Sequence, residues 1–339
     1  MASSAPQPVL NRKRFWTAVV LSAAAALGAL CVLPLIGSTS IQYSRAFAGL
    51  SPDHEILFST RLPRVILSLV AGGALAVAGV LFQALLRDAL ATPYTLGVSS
   101  GASLGAVLAI CMGWQQFGQL SAIWVAAFAG AGLVLVIVVA IASEGRRMSS
   151  FTLLLAGVSV NTMCLAAILF LQYTSNFGQT FAIVRWMMGG IDAVEYSTLG
   201  WFSALVLPAL VVIMLHARDW NLMAVGEDWA AARGVAVAKL MLVGYLLGSF
   251  VAGSVTALTG PIGFVGLIVP HALRLRLGAD HRLLMPCSFF AGAAFLAVCD
   301  TIARTALAPT EVPVGVITAL VGGPFFIWLL RTKRRSLWL

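Results

Sequence analysis

The 339-residue sequence predicts an all-α, polytopic membrane protein with about ten transmembrane helices and both termini cytoplasmic. Three observations predict it. Only 10% of the residues are charged against 60% hydrophobic, whereas a soluble domain carries roughly 25% charged residues. Polar residues are too scarce to cover a water-facing globule, so lipid is the main solvent. The apolar residues gather in stretches close to the roughly 20 residues a spanning helix needs. The basic residues between those stretches sort by side along the chain.

The first stretch, 15–36, follows Arg12, Lys13 and Arg14. It exceeds a signal-peptide core of roughly 7–15 residues and reads as a retained span. The others run 65–86, 95–113, 121–142, 152–174, 200–216, 239–258, 261–277, 283–299 and 313–330. An even number of crossings returns the chain to its starting side. Sixteen of the 21 lysines and arginines fall on that side, including Arg146, Arg147, Lys333, Arg334 and Arg335. Only Arg45, Arg61, Arg64, Arg185 and Arg304 fall on the other. Trp16, Trp114, Trp201 and Trp328 lie near stretch ends, as interfacial anchors do. The longest water-facing segments are about 37–64, 175–199 and 217–238, so residues 1–339 read as one membrane domain.

Several functions lack the residues they need. The net charge of +9 comes without a basic, aromatic-interleaved patch, so no nucleic-acid partner is predicted. No GxxxxGK[ST] loop is present, and Lys13, Lys239 and Lys333 lie outside glycine-rich loops, so the chain has no Walker site for ATP. HExxH and GxSxG are absent too. His54, His216, His271 and His281 are dispersed, and Cys31, Cys111, Cys164, Cys287 and Cys299 form no CxxC pair. The chain therefore predicts no catalytic residue, no metal site and no cofactor. Ion-coupled transporters keep charged groups within the membrane. Here Asp88, Glu144, Asp192 and Asp300 are expected at span ends or in loops. Energy for transport is then expected from outside the chain. A secondary transporter and a membrane scaffold remain the rival readings.

Segment 219–236, DWNLMAVGEDWAAARGVA, mixes apolar and charged residues between spans. Ala230, Ala231 and Ala232 favour helix, and Gly226 and Gly234 break it into short amphipathic pieces. Such pieces lie on lipid or fit a groove on another protein.

The chain resembles the FecCD-like permease family, the membrane subunits of type II ABC importers for ferric siderophores, haem and cobalamin. The resemblance rests on an ordered set: RLPRVILSLVAGGALAVAGVLFQALLRDALATPYTLGVSSGA at 61–102, LLLAGVSVN at 153–161 and WMMGG at 186–190. It continues through 221–235, GPIGFVGLIVPHALRLRLGADHRLLMP at 260–286 and VPVGVITALVGGPFFIWLLR at 312–331. The resemblance implies a homodimer with a central pathway in a bacterial inner membrane. Its implied partners are two ATP-binding cassette ATPase subunits, which hydrolyse ATP in place of this chain, and a periplasmic substrate-binding protein. It implies a coupling role for 219–236, with Leu222, Gly226, Glu227 and Arg233, and a cytoplasmic gate at Asp88, Leu90, Ser149 and Ser150. The gate departs from the family's common Asn-Pro-Leu-Ala and reads Asp88-Ala89-Leu90-Ala91, without the proline that stiffens the turn. Arg61, Arg64 and Arg304 match the family's docking arginines. Arg185, just before WMMGG, is expected either to snorkel as an anchor or to meet substrate carboxylates. The implied cargo is haem or another iron chelate such as a ferric siderophore, with haem first and cobalamin as the alternative.

Overall fold

The computed structural model describes residues 12–114, 116–117, 120–143 and 149–332. Arg146, Arg147, Glu144, Lys333, Arg334 and Arg335 lie outside these described residues. Helix α1 (Arg12–Val32) ends in a short 3-10 turn, and α2 (Tyr43–Phe47) lies in the loop that follows. A π-helical segment, Glu55–Arg61, then runs straight into α3 (Leu62–Leu86). Next come α4 (Val98–Cys111), a small ribbon of β1 (Gln116–Phe117) and β2 (Leu120–Ser121), α5 (Ala122–Ala142) and α6 (Ser150–Thr174). After these follow α7 (Phe177–Met187), α8 (Tyr196–Leu215), α9 (Ala217–Val225), α10 (Glu227–Ala232) and α11 (Val237–Thr259). The described chain closes with α12 (Val265–Leu277), α13 (His281–Thr305) and α14 (Val314–Thr332).

Apart from the ribbon the fold is helical. Among the described residues, seven helical stretches are long and apolar enough to cross a membrane, those containing α1, α3, α5, α6, α8, α11 and α13; α4 and α14 are apolar but shorter. Helix α3 is the centre of the bundle. Its most apolar stretch is 83% buried, against 22% for α1 and 28% for α5. Glycine and alanine make that position possible, because a helix with small side chains lets its neighbours approach to backbone contact. A Cβ on Gly72 would overlap the carbonyl of Gly292 in α13, and one on Gly79 the carbonyl of Gly266 in α12. The poorly buried helices turn apolar side chains outward, such as Leu133 and Val136 of α5 and Met163 and Phe170 of α6. Trp16, Trp114, Trp201 and Trp328 are all exposed.

Three sequence expectations change. The predicted span 261–277 is helical only from Val265, because the Gly260-Pro261-Ile262-Gly263 lead-in is irregular, with Gly260 at φ 65°, and Phe264 turns left-handed at φ 68°. Helix α13 continues to Thr305, beyond the expected end at 299, so Asp300 and Arg304 lie on a helix and not in a loop. Opposite charges four residues apart on one helix face compensate each other, which lets the helix carry them. Segment 175–199 is not merely a loop, since it contains α7. A capping box starts that helix, in which the Asn176 side chain accepts from the Gln179 N–H and Gln179 returns the bond.

Candidate coupling site and far-side cavity

The helix ends gather at two poles. At one, α3 stops at Arg87, which adopts the left-handed conformation at φ 53°, an uncommon state for a residue with a Cβ. From this corner Arg87 Nη2 reaches Glu227 Oε1, 3.0 Å away at the first position of α10. The chain turns next through Asp88. Asp88 Oδ1 accepts the Leu90 N–H at 2.9 Å, and its carbonyl accepts the Ala91 N–H at 3.1 Å. This Asx turn holds the corner where proline holds it in the family's usual motif. Asp88 and Leu90 are exposed.

Ser150 opens α6 and is buried against the same corner. Its Oγ lies 2.9 Å from Glu227 Oε1 and 3.1 Å from the Leu85 carbonyl. One hydroxyl proton faces two acceptors, and the ionised carboxylate is the stronger of them. Ser149 occupies the N-cap position, exposed and without a side-chain cap. The structure thus brings Ser150 from the expected gate and Glu227 from the expected coupling segment onto one carboxylate oxygen. Sequence reasoning missed Arg87, the third member. Its adjacency to Asp88 was the available signal.

Within the coupling segment, Trp220 and Met223 are buried, and Trp220 Nε1 donates to the Ile213 carbonyl at 2.9 Å. Leu222 is partly buried and packs against the core. The outward residues are Val225, 70% exposed, Trp229, 52% exposed, and Arg233, whose guanidinium stacks 4.9 Å from the centre of the Trp229 ring. Gly226 separates α9 from α10, and a Cβ there would meet nothing within this chain. Behind α9, Asn221 Nδ2 donates to Asp280 Oδ1 at 2.8 Å. Burial pushes the Asp280 carboxyl up, but hydrogen bonds from Arg282 and Asn221 outweigh it and hold the pKa at about 2.

At the opposite pole the arginines expected to dock a partner are turned inward. Arg61 is 6% exposed and donates to the Thr39 carbonyl, and Arg304 is 4% exposed and donates to the Leu33 carbonyl at 2.8 Å. Arg64 pairs with buried Asp300 at 3.0 Å and with half-exposed Glu311 at 2.9 Å. A buried guanidinium needs such acceptors to offset its lost hydration. Within this chain the three expected docking arginines are thus each held by internal acceptors. Arg185, at the end of α7, is exposed, and among the described residues no carboxylate pairs with it. It lines a cavity of about 380 Å³ together with Arg64, Trp124, Trp186, Asp192 and Glu311.

With two poles and a coupling junction in view, relatives can be compared. Residues 23–332 match the model of the FecCD transport family. This chain belongs to that family. The hemin transport system permease protein HmuU of Yersinia pestis is 42% identical, over 83% of this chain and 85% of its own length. The vitamin B12 import system permease protein BtuC of Escherichia coli is 38% identical, over 84% of this chain and 86% of its own. Among solved structures, a metal-chelate type ABC transporter in an inward-facing conformation superposes with a TM-score of 0.81 at 28% identity. It covers 94% of this FecCD-family chain and 99% of its own. The resemblance drawn from the sequence motifs thus holds along the chain.

Proposed function

We propose that this chain is the membrane-spanning subunit of an ABC importer in a bacterial inner membrane. It forms one membrane domain over 1–339, crosses the bilayer about ten times with cytoplasmic termini, and functions as a homodimer. Two ATPase subunits grip α9–α10, and a periplasmic binding protein delivers cargo to the far pole. ATP hydrolysis belongs to those partners. One observation carries the reading: Glu227 holds the ATPase-facing segment, the end of α3 and the start of α6 at a single carboxylate. When α10 moves, Glu227 withdraws from Ser150, whose hydroxyl then turns to donate to the Leu85 carbonyl 3.1 Å away. The start of α6 is then released from α10 without leaving a buried hydroxyl unpaired. Asp88, Leu90 and Ser149 lie beside this junction in the proposed gate.

Glu227→Ala tests the junction. The Arg87–Glu227 pair is partly exposed, so its loss costs roughly 0.2–1 kcal/mol of stability. Transport in proteoliposomes should nevertheless fall roughly tenfold, within the range of coupling between sites, while the ATPase subunits still assemble. Unchanged transport per ATP hydrolysed would sink the coupling assignment. Gly226 replaced by a bulky residue should act similarly. The side chain would meet no atom of this chain within 4 Å, so its effect would combine backbone strain at φ 158° with any clash in the ATPase groove.

The proposed cargo is an iron chelate, with haem first, supported by the hemin permease relative. Cobalamin is the second reading, supported by the vitamin B12 permease relative at comparable identity. The cavity at the far pole offers Arg185 to an anionic cargo. Arg185→Ala should slow uptake of a carboxylate-bearing chelate roughly tenfold, as expected for one charged hydrogen bond of about 1.5–3 kcal/mol. Haem and cobalamin uptake measured side by side in the assembled importer distinguishes the cargoes. Equal rates for wild type and variant would return Arg185 to an anchoring role. Arg64, partly covered by Glu311, is the proposed docking arginine nearest the surface; Arg61 and Arg304 shape the surrounding loops.

A further inference from the structure

Helix α13 runs from His281 to Thr305, and side chains from distant parts of the chain pin both of its ends. At its start the clamp is Asn221 of α9. Asn221 Nδ2 donates to Asp280 Oδ1 at 2.8 Å, and Asn221 Oδ1 accepts the His281 N–H at 2.8 Å. The same oxygen lies 2.7 Å from His281 Nδ1. An amide oxygen only accepts, so the imidazole carries a proton on Nδ1. Reversing the Asn221 amide would set its NH₂ against the His281 N–H, so the network itself fixes its orientation. A single side chain thus supplies a donor to the N-cap residue of α13 and an acceptor to its first turn.

At the other end of α13, Asp300 binds Arg64 at the start of α3, and Arg304 binds the Leu33 carbonyl in the 3-10 turn that follows α1. Between the clamps, Pro286 removes one helical N–H near the start. Beyond it, Gly292 lies against Gly72, so α13 and α3 meet backbone to backbone. Close-packed helices of this kind move as bodies, because packed cores are not continuously deformable.

We propose that Asn221 is a positioning residue that makes α13 a strut, carrying movement of the ATPase-facing segment to the Arg64–Asp300–Glu311 cluster at the cavity. The inference rests on the reading of 219–236 as that segment. In this account the nucleotide state of the ATPase subunits alters the far pole through α13. The cavity and any docking surface there then respond to ATP without contacting it. Energetic coupling requires a linked element that both sites bias, and the two clamps supply the attachments at its ends.

Hydrogen exchange on the assembled importer, with and without ATP, tests this. In the wild type, ATP should change exchange at least twofold both in peptides from 219–236 and in peptides from 300–312. Asn221→Asp is nearly isosteric. It still accepts from His281 but cannot donate to Asp280, and it adds a like charge beside it. In that variant the response at 219–236 should persist and the response at 300–312 should disappear. Combining Asn221→Asp with Asp280→Asn exchanges donor and acceptor, keeps a good N-cap residue, and should restore the far response. A far response that survives Asn221→Asp overturns the strut, as does a wild type that responds only at 219–236. Silence at 219–236 in the wild type defeats the coupling assignment itself, and the strut falls with it.

Discussion

Asp300→Ala will cost about 3–5 kcal/mol, the usual penalty for breaking a buried ion pair by removing one partner. Asp300 is 1% exposed, and Arg64 addresses it through both Nε and Nη2, with Arg304 Nε at 3.9 Å on the other side. Removing the carboxylate leaves two guanidinium groups facing each other, with Glu311 left to Arg64 alone. Thermal unfolding in detergent measures the loss. The control is the double variant Asp300→Ala/Arg64→Met, which removes the guanidinium most closely paired with Asp300 and leaves Arg304 its bonds to the Leu33 carbonyl and Thr301. It should recover much of the stability, because replacing a buried pair with apolar residues is often neutral or better. A double variant as unstable as the single one would show that shape, and not charge, dominates the cluster. The same cluster closes one wall of the far-side cavity, so the single variant should disturb cargo transfer as well.

Gly79 predicts the second large effect. A Cβ at this position would overlap the Gly266 carbonyl, the Gly266 carbonyl carbon and its Cα. That carbonyl is also the acceptor for Gln83 Nε2 at 3.2 Å, and Gln83 in turn accepts from Arg274 at 2.7 Å. Helix α12 cannot retreat without loosening that chain of bonds. Gly79→Ala should reach or exceed the upper end of the usual overpacking cost of about 1–3 kcal/mol. Gly79→Leu should fail to yield folded protein. Gly28→Leu and Gly132→Leu are the matched controls, because no atom lies within 4 Å of a Cβ at either site. Comparing the yields of monodisperse protein checks the set, and a well-behaved Gly79→Leu would refute the close α3–α12 contact.

These two positions differ in how far they could be read from sequence. The glycine pattern of 72, 73 and 79 announces close packing, since few other reasons place several glycines in a membrane helix. It does not say which helix arrives. Asp300 was expected at a span end or in a loop because hydropathy weighs each residue by itself, and a lone carboxylate ends an apolar stretch. Arg304 lies four residues on, but the closer partner, Arg64, lies 236 residues away in sequence, so no local pattern contains that pair. Arg61 and Arg304 show the same limit. The sorting of charge predicts a side of the membrane for them, but whether a guanidinium faces water or a carbonyl depends on the loop folded over it.

The sequence by itself determined the membrane class, the helical architecture and the family, because hydropathy, charge sorting and the order of motifs are properties of composition along the chain. It also marked 219–236 as short pieces broken at Gly226 and, through the family resemblance, named Glu227 and Ser150 for separate expected roles. Only the tertiary structure decided that these two share one carboxylate oxygen with Arg87, that Leu222 is partly buried while Val225 and Trp229 face out, and that α12 begins only after an irregular turn. The physical reason is the same throughout. Solvation along a helix depends on residue type and can be read locally, whereas a hydrogen bond or a backbone contact requires two segments whose meeting is set by the packing of the whole bundle.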